Sequence, residues 1–492
     1  MVTSKGVLLF LLLAACACPS PSAFADTITP GDEIDKLYTV KETLDPLGAN
    51  PVGEQVDLES GQLSIRQVDV AIPGNSDLPV EFARTFTPDG HYFIGVDEAD
   101  ARKDRNQVGE LHDWRIDVPK IYAVLARDVG WPDNRCTGFG PPPSADGWKS
   151  GADYWAYEPS SYWHGYYAHI PGKGTHQLLD SDNSTLTPGD SNQFPIVTNN
   201  YWAVECWTIG GVDANGEAVD TPGEGFTLHT PDGRTYYFDH LTKEAQPGLM
   251  KDPGNGLLRL RYVMLASRVE DAFGNWVEYH YNSSGGLTSV QASDGRIIRV
   301  SYSGGKVASV TANSQTWTYS YAVDSNGHLH LDKVLLPDGR SWNFDVAGLA
   351  DYQLSIRDPM LCDGPGSPLS PLKASGTITG PFGTTVEFVL EPTKRPRGGV
   401  SHSNCKPVGD KSITTTPKEY YTFALAKKTI GGPNMESLIW RYDYTSPRGW
   451  YSDAPGSSYK STEVIEPDGD RAVYLFDMRA DWRRSAARRP AS

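Results

Sequence analysis

A repeat of about twenty residues constrains the fold of this chain more than any other feature of the sequence. Between residues 270 and 345, aromatic residues end short apolar segments at Tyr281, Tyr302, Tyr321 and Phe344, with separations of 21, 19 and 23 residues. A fixed period of this length is typical of repeat architectures, in which one unit cannot bury its apolar face alone. The repeat therefore predicts similar units that share a continuous core.

Apolar and polar residues alternate within each unit. In the segment 317–321, Trp-Thr-Tyr-Ser-Tyr, the aromatic rings lie on one face of a strand and the hydroxyls on the other. The segments 277–281 and 298–302 follow the same rule. This period of two is typical of an antiparallel sheet with one solvated face, and apolar periods of 3.6 are scarce, so we expect little helix.

Turn sequences recur between these segments. An Asp-Gly pair precedes a strand in four stretches, at residues 231–234, 293–296, 337–340 and 467–470. Glycine adopts positive φ without steric cost, so Asp-Gly between β segments is a strong hairpin signal. The predicted fold is all-β, with antiparallel β-hairpin repeats that form a curved or spiralling sheet.

Composition and spacing divide the chain into seven segments. They are a signal peptide (1–25), an extended lead-in (26–55), an N-terminal β region with Trp/Tyr-rich loops (56–269), the repeats (270–345), a Gly/Pro/Ser-rich insertion pinned by a disulfide (346–410), further β repeats (411–478) and a basic tail (479–492).

The first 25 residues predict export. Lys5 precedes a short apolar stretch, and Ala23-Phe24-Ala25 fits a cleavage site before Asp26. A second interpretation is open, because residues 13–16 resemble a bacterial lipobox in which Cys16 is lipidated. We expect a secreted or cell-surface protein that contacts a membrane only through such a lipid anchor.

Four further cysteines predict disulfides, because an even number in an exported chain favours them. They are Cys136, Cys206, Cys362 and Cys405, and three pairings are possible. Proximity along the chain favours Cys136–Cys206 and Cys362–Cys405. Their wide spacing does not suit a zinc site, and we expect no cofactor.

Charge and motifs exclude several classes of function. The formal net charge of −17 argues against a nucleic-acid-binding protein, which needs clustered Lys and Arg. Gly-x-Ser-x-Gly and His-Glu-x-x-His are absent from the sequence. His328 and His330 share one face of a predicted strand and could ligate a metal, but a solvated face is the favoured interpretation.

An aromatic-rich region at 130–207 is the best candidate for a binding site. Its aromatic residues could stack on sugars, although packing within loops is the favoured interpretation; the named candidates are Trp148, Trp155, Trp163 and Tyr166. Glu158 and Glu205 lie among them, which leaves a secreted glycoside-active enzyme as a second alternative. With 61 acidic residues in the chain, such neighbours are expected by chance.

The repeats resemble the bacterial RHS/YD-repeat family. Tyr281, Gly285, Leu287 and Val290 match the consensus Tyr-xxx-Gly-x-Leu-xx-Val, and residues 440–444 contain the Tyr-Asp pair. The segments 56–63 and 83–86 are similar to the start of RHS proteins.

The resemblance implies a non-enzymatic exported scaffold. In this family such repeats form part of a shell or a cell-surface contact module, linked to polymorphic toxin delivery and inter-bacterial competition. The implied partners are a C-terminal toxin encoded downstream or cell-surface glycans. After the repeats, this sequence has no Asp-Pro-x-Gly core motif and no toxin domain, and its tail after Phe476 resembles a truncated end.

Overall fold

A computed structural model gives the fold of the chain. It describes residues 50–88, 110–145, 149–150, 153–154, 157, 159–181, 194–252, 255–325, 327–350, 355–356, 367–370, 372–396, 405–408, 411–414, 419–445 and 459–477. The predicted signal peptide, Cys16 and the basic tail lie outside these residues. In the described part, no helix has the length and apolar character needed to cross a membrane.

Strands dominate the structure. The first fourteen are β1 (Glu54–Val56), β2 (Leu63–Ala71), β3 (Glu81–Phe86), β4 (Arg115–Ile116), β5 (Lys120–Ala126), β6 (Lys149–Ser150), β7 (Asp153–Tyr154), β8 (Tyr166–Ile170), β9 (Gly174–Asp180), β10 (Ile196–Thr198), β11 (Ala203–Thr208), β12 (Glu224–His229), β13 (Thr235–Asp252) and β14 (Asn255–Glu270).

Seventeen strands and two short helices complete the described elements. The strands are β15 (Trp276–Tyr281), β16 (Leu287–Ala292), β17 (Ile297–Ser303), β18 (Lys306–Ala312), β19 (Gln315–Val323), β20 (Leu329–Leu335), β21 (Ser341–Asp345), β22 (Ser355–Ile356), β23 (Pro368–Ser370), β24 (Ala374–Thr379), β25 (Thr385–Pro396), β26 (Cys405–Val408), β27 (Lys411–Thr414), β28 (Glu419–Gly432), β29 (Met435–Thr445), β30 (Tyr459–Ile465) and β31 (Arg471–Asp477). The helices are α1 (Pro159–Tyr162) and α2 (Ala347–Ala350).

Strands β1–β4 form a separate four-stranded antiparallel sheet, the N-terminal sheet. Buried and exposed residues alternate along its strands. In β2, Leu63 and Ile65 are fully buried, and the residues between and beside them are at least partly exposed. A register shift between Val68 and Val70 marks a bulge against β3. One buried face therefore remains to pack against the rest of the chain.

Eight strands close into a ring, called here the closed ring: β5 and β8–β14. Each pairs antiparallel with its neighbour, and β5 pairs with β14 to complete the circuit, with Leu125 opposite Leu260. Closure leaves no free edge in this part of the sheet. The ring brings together residues that are more than a hundred positions apart in the sequence.

The remaining strands extend the sheet from β14, which serves as a branch point. Residues 259–265 of β14 pair with β5, while residues 268–270 pair with β15. From β15 the sheet continues antiparallel through β21, β24, β25 and β28 to β31, called here the repeat array. The predicted all-β fold of antiparallel hairpin repeats is confirmed. Two strands of the array come from residues 374–396, within the segment interpreted as an insertion.

One pattern of two backbone hydrogen bonds recurs in the hairpin turns of the sheet. It joins the first residue to the fourth and fifth in turns that start at residues 198, 213, 230, 271, 282, 292, 324, 336, 380 and 466. In all of these except the first, where Tyr201 has φ of 61°, the fourth residue is a glycine with positive φ, for example Gly233 at 77° and Gly295 at 87°. A β-carbon is disfavoured at this φ, which explains the periodic glycines of the sequence.

The repeated tyrosines join neighbouring strands. The hydroxyl of Tyr302 donates to the carbonyl oxygen of Leu287 at 2.8 Å, and Tyr281 makes the same bond to Ala266 at 2.8 Å. A register shift falls at each of these tyrosines and also at Tyr321. The hydroxyl of Tyr321 likewise donates to a backbone carbonyl oxygen of the neighbouring strand. The aromatic strand ends thus satisfy backbone carbonyls next to the bulges.

Candidate functional site

The N-terminal sheet docks on the repeat array, and we treat this docking interface as the candidate functional site. The amide of Leu425 donates to the carbonyl oxygen of Gly61, and the amide of Val307 to that of Glu110, both at 2.9 Å. The hydroxyl of Thr462 adds a bond of 2.6 Å to a carbonyl of the segment between β1 and β2. The interface therefore reaches from β18 to β30.

A close backbone approach fixes the segment between β1 and β2. Gly61 has φ of 70°, and a β-carbon there would lie 2.6 Å from the β-carbon of Ala424 and 2.8 Å from the ring of Tyr444. Only glycine fits both constraints. The turn is therefore shaped to the surface of β28 and β29.

A buried cation forms the centre of the interface. The side chain of Arg84 is 0% exposed, and its Nε lies 2.8 Å from Oδ2 of Asp69, which also accepts a bond of 2.7 Å from the hydroxyl of Tyr319. The guanidinium lies 4.3 Å from the ring centre of Trp114 and 4.5 Å from that of Phe344. Charge pairing and cation–π contacts thus compensate its removal from water.

A second buried ion pair lies at the other end of the interface. Nζ of Lys428 lies 3.3 Å from Oε1 of Glu54, with side-chain exposures of 4% and 0%, and 4.5 Å from the ring centre of Trp440. Burial raises the pKa of Glu54, and the charge of Lys428 partly opposes that rise. Removing either partner would leave an uncompensated charge in the interior.

A carboxylate at the end of the N-terminal sheet connects it to the closed ring. Asp117 accepts a bond of 2.6 Å from Nε of Arg66 and lies 2.6 Å from Nε2 of His169. Burial alone would raise the pKa of Asp117, but the hydrogen bond and charge of His169 and the charge of Arg66 lower it to about 2.

The other ring nitrogen of His169, Nδ1, lies 2.9 Å from the hydroxyl of Thr175. A hydroxyl, an imidazole and a carboxylate in sequence can form a nucleophilic relay. Here Arg66 also pairs with Asp117, so the carboxylate charge is shared with a fixed cation. The arrangement attaches the N-terminal sheet to the closed ring.

The two histidines considered as metal ligands lie beside acidic residues. His330 is 6% exposed; its Nδ1 lies 3.4 Å from Asp113 and its Nε2 3.7 Å from Asp324. His328 lies 3.9 Å from the same Asp324 oxygen. Asp113 also accepts a backbone bond from Leu331, so this cluster is part of the docking interface. Over the described ranges, no group of three His, Cys, Asp or Glu residues could hold a metal ion.

A buried carboxylate lies within the closed ring. Asp239 is 0% exposed, and its Oδ2 accepts bonds from Ser267 (2.7 Å) and from the amide of Ala214 (2.8 Å), while Oδ1 has no hydrogen-bond partner. Burial raises the pKa of Asp239 to about 6. Burial also acts on Asp213, but a bond from His240 and two backbone amides lower the pKa of that carboxyl.

The pKa of Asp239 is raised and that of Asp213 is lowered. Two carboxyls with pKa values shifted apart in this way occur as acid–base pairs in enzymes. Because Asp239 has no exposed surface, a substrate could not reach it in this structure. The pair therefore indicates a pH-sensitive structural element.

Tyr166 and Trp163, the described candidates of the aromatic-rich region, pack against other aromatic rings. Tyr166 is 5% exposed, and its ring lies 5.6 Å from Trp131, 5.0 Å from Phe139 and 5.4 Å from Trp163. Its hydroxyl donates to the carbonyl oxygen of Gly140 at 3.1 Å. Protein atoms thus cover the ring of Tyr166, and Trp163 is partly buried beside it.

The other candidates of this region fall outside what the structure describes. Trp148, Trp155 and Glu158 lie there, so sugar stacking by these tryptophans stays a prediction. Glu205 is in β11, where its carboxylate lies 3.5 Å from Nε2 of His229.

One of the favoured disulfides is present. Cys136 and Cys206 are bonded, which links the segment after β5 to β11 across 70 positions of sequence. The carboxylate of Glu224 accepts bonds from the amides of Cys136 (3.0 Å) and Thr137 (2.8 Å) beside it. Cys362 lies outside the described residues, and Cys405 begins β26, so their pairing stays a prediction.

One signal for the docking interface is present in the sequence of β3. Phe82, Arg84 and Phe86 lie on the same face of the strand, and all three are buried. A cation between two aromatic residues on an apolar face requires a buried anion nearby. That pattern could have indicated Arg84 as an interface residue, but not the identity of its partner.

Comparison with known proteins gives no relative. No protein-family model and no curated protein matches this chain. The resemblance to RHS proteins therefore rests on the repeat residues and on the segments 56–63 and 83–86 alone.

Proposed function

We propose that this protein is a non-enzymatic exported scaffold of RHS type, whose repeat array holds a polypeptide against one of its faces. The observation that carries the proposal is the docked N-terminal sheet. Its contacts join residues as far apart as Leu58 and Thr462, 404 positions in sequence. The docked sheet contacts the repeat array from β18 to β30. An array with such a broad contact surface is suited to hold a polypeptide.

The chemistry of the interface supports holding. Its central charged groups, Arg84 with Asp69 and Lys428 with Glu54, pair across strands within the interior. The Lys428–Glu54 pair joins the two surfaces, so another docked arrangement would leave a buried charge unpaired. The Arg84–Asp69 pair lies within the N-terminal sheet and meets the array through Tyr319 and Phe344. By extension, we propose that the array belongs to a shell or cell-surface contact module in toxin delivery, with a toxin encoded downstream as its cargo.

Protease protection of the full exported chain tests the holding role. Lys428→Met should expose the N-terminal sheet to cleavage, because it leaves Glu54 buried without its cation. Lys427→Met is the matched control, since its partner Glu387 is 42% exposed and the pair lies at the surface.

Equal protection in both variants would contradict the proposal. Turnover of a glycoside, ester or peptide substrate by the purified chain would contradict the non-enzymatic part. Mass spectrometry of the mature N-terminus, beginning at Asp26 or at a lipidated Cys16, tests export.

A further inference from the structure

The last strand of the repeat array has two large apolar side chains in the middle of its exposed face. Strands β17, β19 and β29 present polar residues on their outer face, namely Arg299, Ser301, Thr318, Ser320, Arg441 and Asp443, all exposed. In β31 the corresponding face has Val473, 60% exposed, and Leu475, 69% exposed.

The opposite face of β31 is apolar as well. Ala472, Tyr474 and Phe476 point toward the core side and are partly buried. The middle of β31, residues 472–476, is therefore apolar on both faces and lacks the charged side chains that usually protect an edge strand from pairing.

The position of β31 in the sheet is nevertheless an edge. All seven of its residues pair with β30, from Arg471 opposite Ile465 to Asp477 opposite Tyr459. Among the strands that the structure describes, β30 alone pairs with β31, so the other side of β31 has no strand partner there. Backbone groups on that side are available to another strand, which makes an apolar edge a template for association.

The sequence of β31 is complementary to itself in the antiparallel direction. If two copies pair about Tyr474, Arg471 of one copy stands opposite Asp477 of the other, and Val473 stands opposite Leu475. In this register, residues of opposite charge fall at both ends of the pairing and apolar residues fall between them. A pairing of this kind is isologous and closes at two copies.

We propose that a second copy of this chain binds at β31, so that two repeat arrays join edge to edge into one continuous antiparallel sheet. This inference concerns a surface that the N-terminal sheet does not use, and it is independent of the proposed scaffold role.

Sedimentation velocity of the full chain over a dilution series provides the test. The wild type should sediment as a concentration-dependent dimer. Val473→Lys with Leu475→Lys should raise the dimer Kd by roughly tenfold or more, because lysines would face each other across the pairing. The control, Val323→Lys with Leu335→Lys, changes two other exposed apolar residues, in β19 and β20, and should leave the Kd unchanged.

A charge exchange tests the antiparallel register without relying on the apolar face. Arg471→Asp alone and Asp477→Arg alone should each weaken self-association, whereas an equal mixture of the two variants should form a heterodimer. Glu463→Gln controls for the pair that Arg471 makes within the chain at 3.2 Å and should not change the Kd.

Three results would overturn the proposal. They are a monomeric wild type at every concentration, a series of species larger than dimer, and a dimer that the lysine variants leave intact. The thermal unfolding transition of each variant shows that the monomer is folded, so a loss of dimer is assigned to the edge itself.

Discussion

Asp239→Asn should stabilise the protein at neutral pH, because it removes a buried carboxylate charge. The asparagine oxygen can still accept the bonds from Ser267 and the amide of Ala214, and its amide group replaces the Oδ1 that has no partner. The change therefore removes the ionisation and retains the hydrogen bonds.

The magnitude follows from the pKa of Asp239, which burial raises from 3.8 to about 6. A raised pKa means that the folded state binds a proton more tightly than the unfolded chain does. The contribution of Asp239 to the free energy of unfolding is therefore largest below pH 3.8, and it is lost as the pH rises through about 6. At about 1.36 kcal/mol per pH unit, the loss amounts to about 3 kcal/mol above pH 6.

Urea unfolding at pH 4, 5, 6, 7 and 8, followed by tryptophan fluorescence, measures the effect. The two proteins should have similar free energies of unfolding at pH 4, and the variant should gain up to about 3 kcal/mol at pH 8. Asp213→Asn is the control of opposite sign. Its lowered pKa contributes stability above pH 3.8, so that variant should lose stability at pH 8. A difference for Asp239→Asn that stays constant from pH 4 to pH 8 would refute the reasoning.

Three further variants test the interface, the repeats and the disulfide by the free energy of unfolding. Lys428→Met should cost about 3–5 kcal/mol, because its carboxylate partner stays buried and unpaired, whereas Lys427→Met should cost less than about 1 kcal/mol; equal losses would contradict the burial argument. Tyr302→Phe should cost about 1 kcal/mol through its lost carbonyl bond, and no loss would show that the bond is not needed. Cys136→Ser with Cys206→Ser should cost about 4 kcal/mol for a loop closed over 70 positions, and reduction of the wild type should reproduce that loss.

The hairpin repeats could be predicted because their signals are local. The alternation at 317–321 appears in β19, and the Asp-Gly stretches at 231–234 and 293–296 form turns of the same conformation. Glycine φ and side-chain parity act within a few residues, so sequence shows them directly. The Gly- and Pro-rich surroundings of β25 hid the same alternation at Val386, Phe388 and Leu390.

The closed ring and the docking interface could not be predicted, because their contacts are remote in sequence. The pairing of β5 with β14 joins residues 120–126 to 259–265, and nothing local in either strand specifies the other. The aromatic region shows the same limit. Its composition suits both a sugar platform and an interior, and only the neighbours of Tyr166 show that its ring is buried.

The distance along the chain between the docked surfaces has a consequence for folding. Neighbouring hairpins of the array can form as they emerge, since their contacts have low contact order. Glu54 and Lys428, by contrast, are separated by 374 positions, so the first strands must wait for almost the whole chain. At about 5–20 residues per second of synthesis, that wait is roughly 20–75 s. During this time the apolar face of the N-terminal strands lacks the surface that later covers it, which exposes it to aggregation.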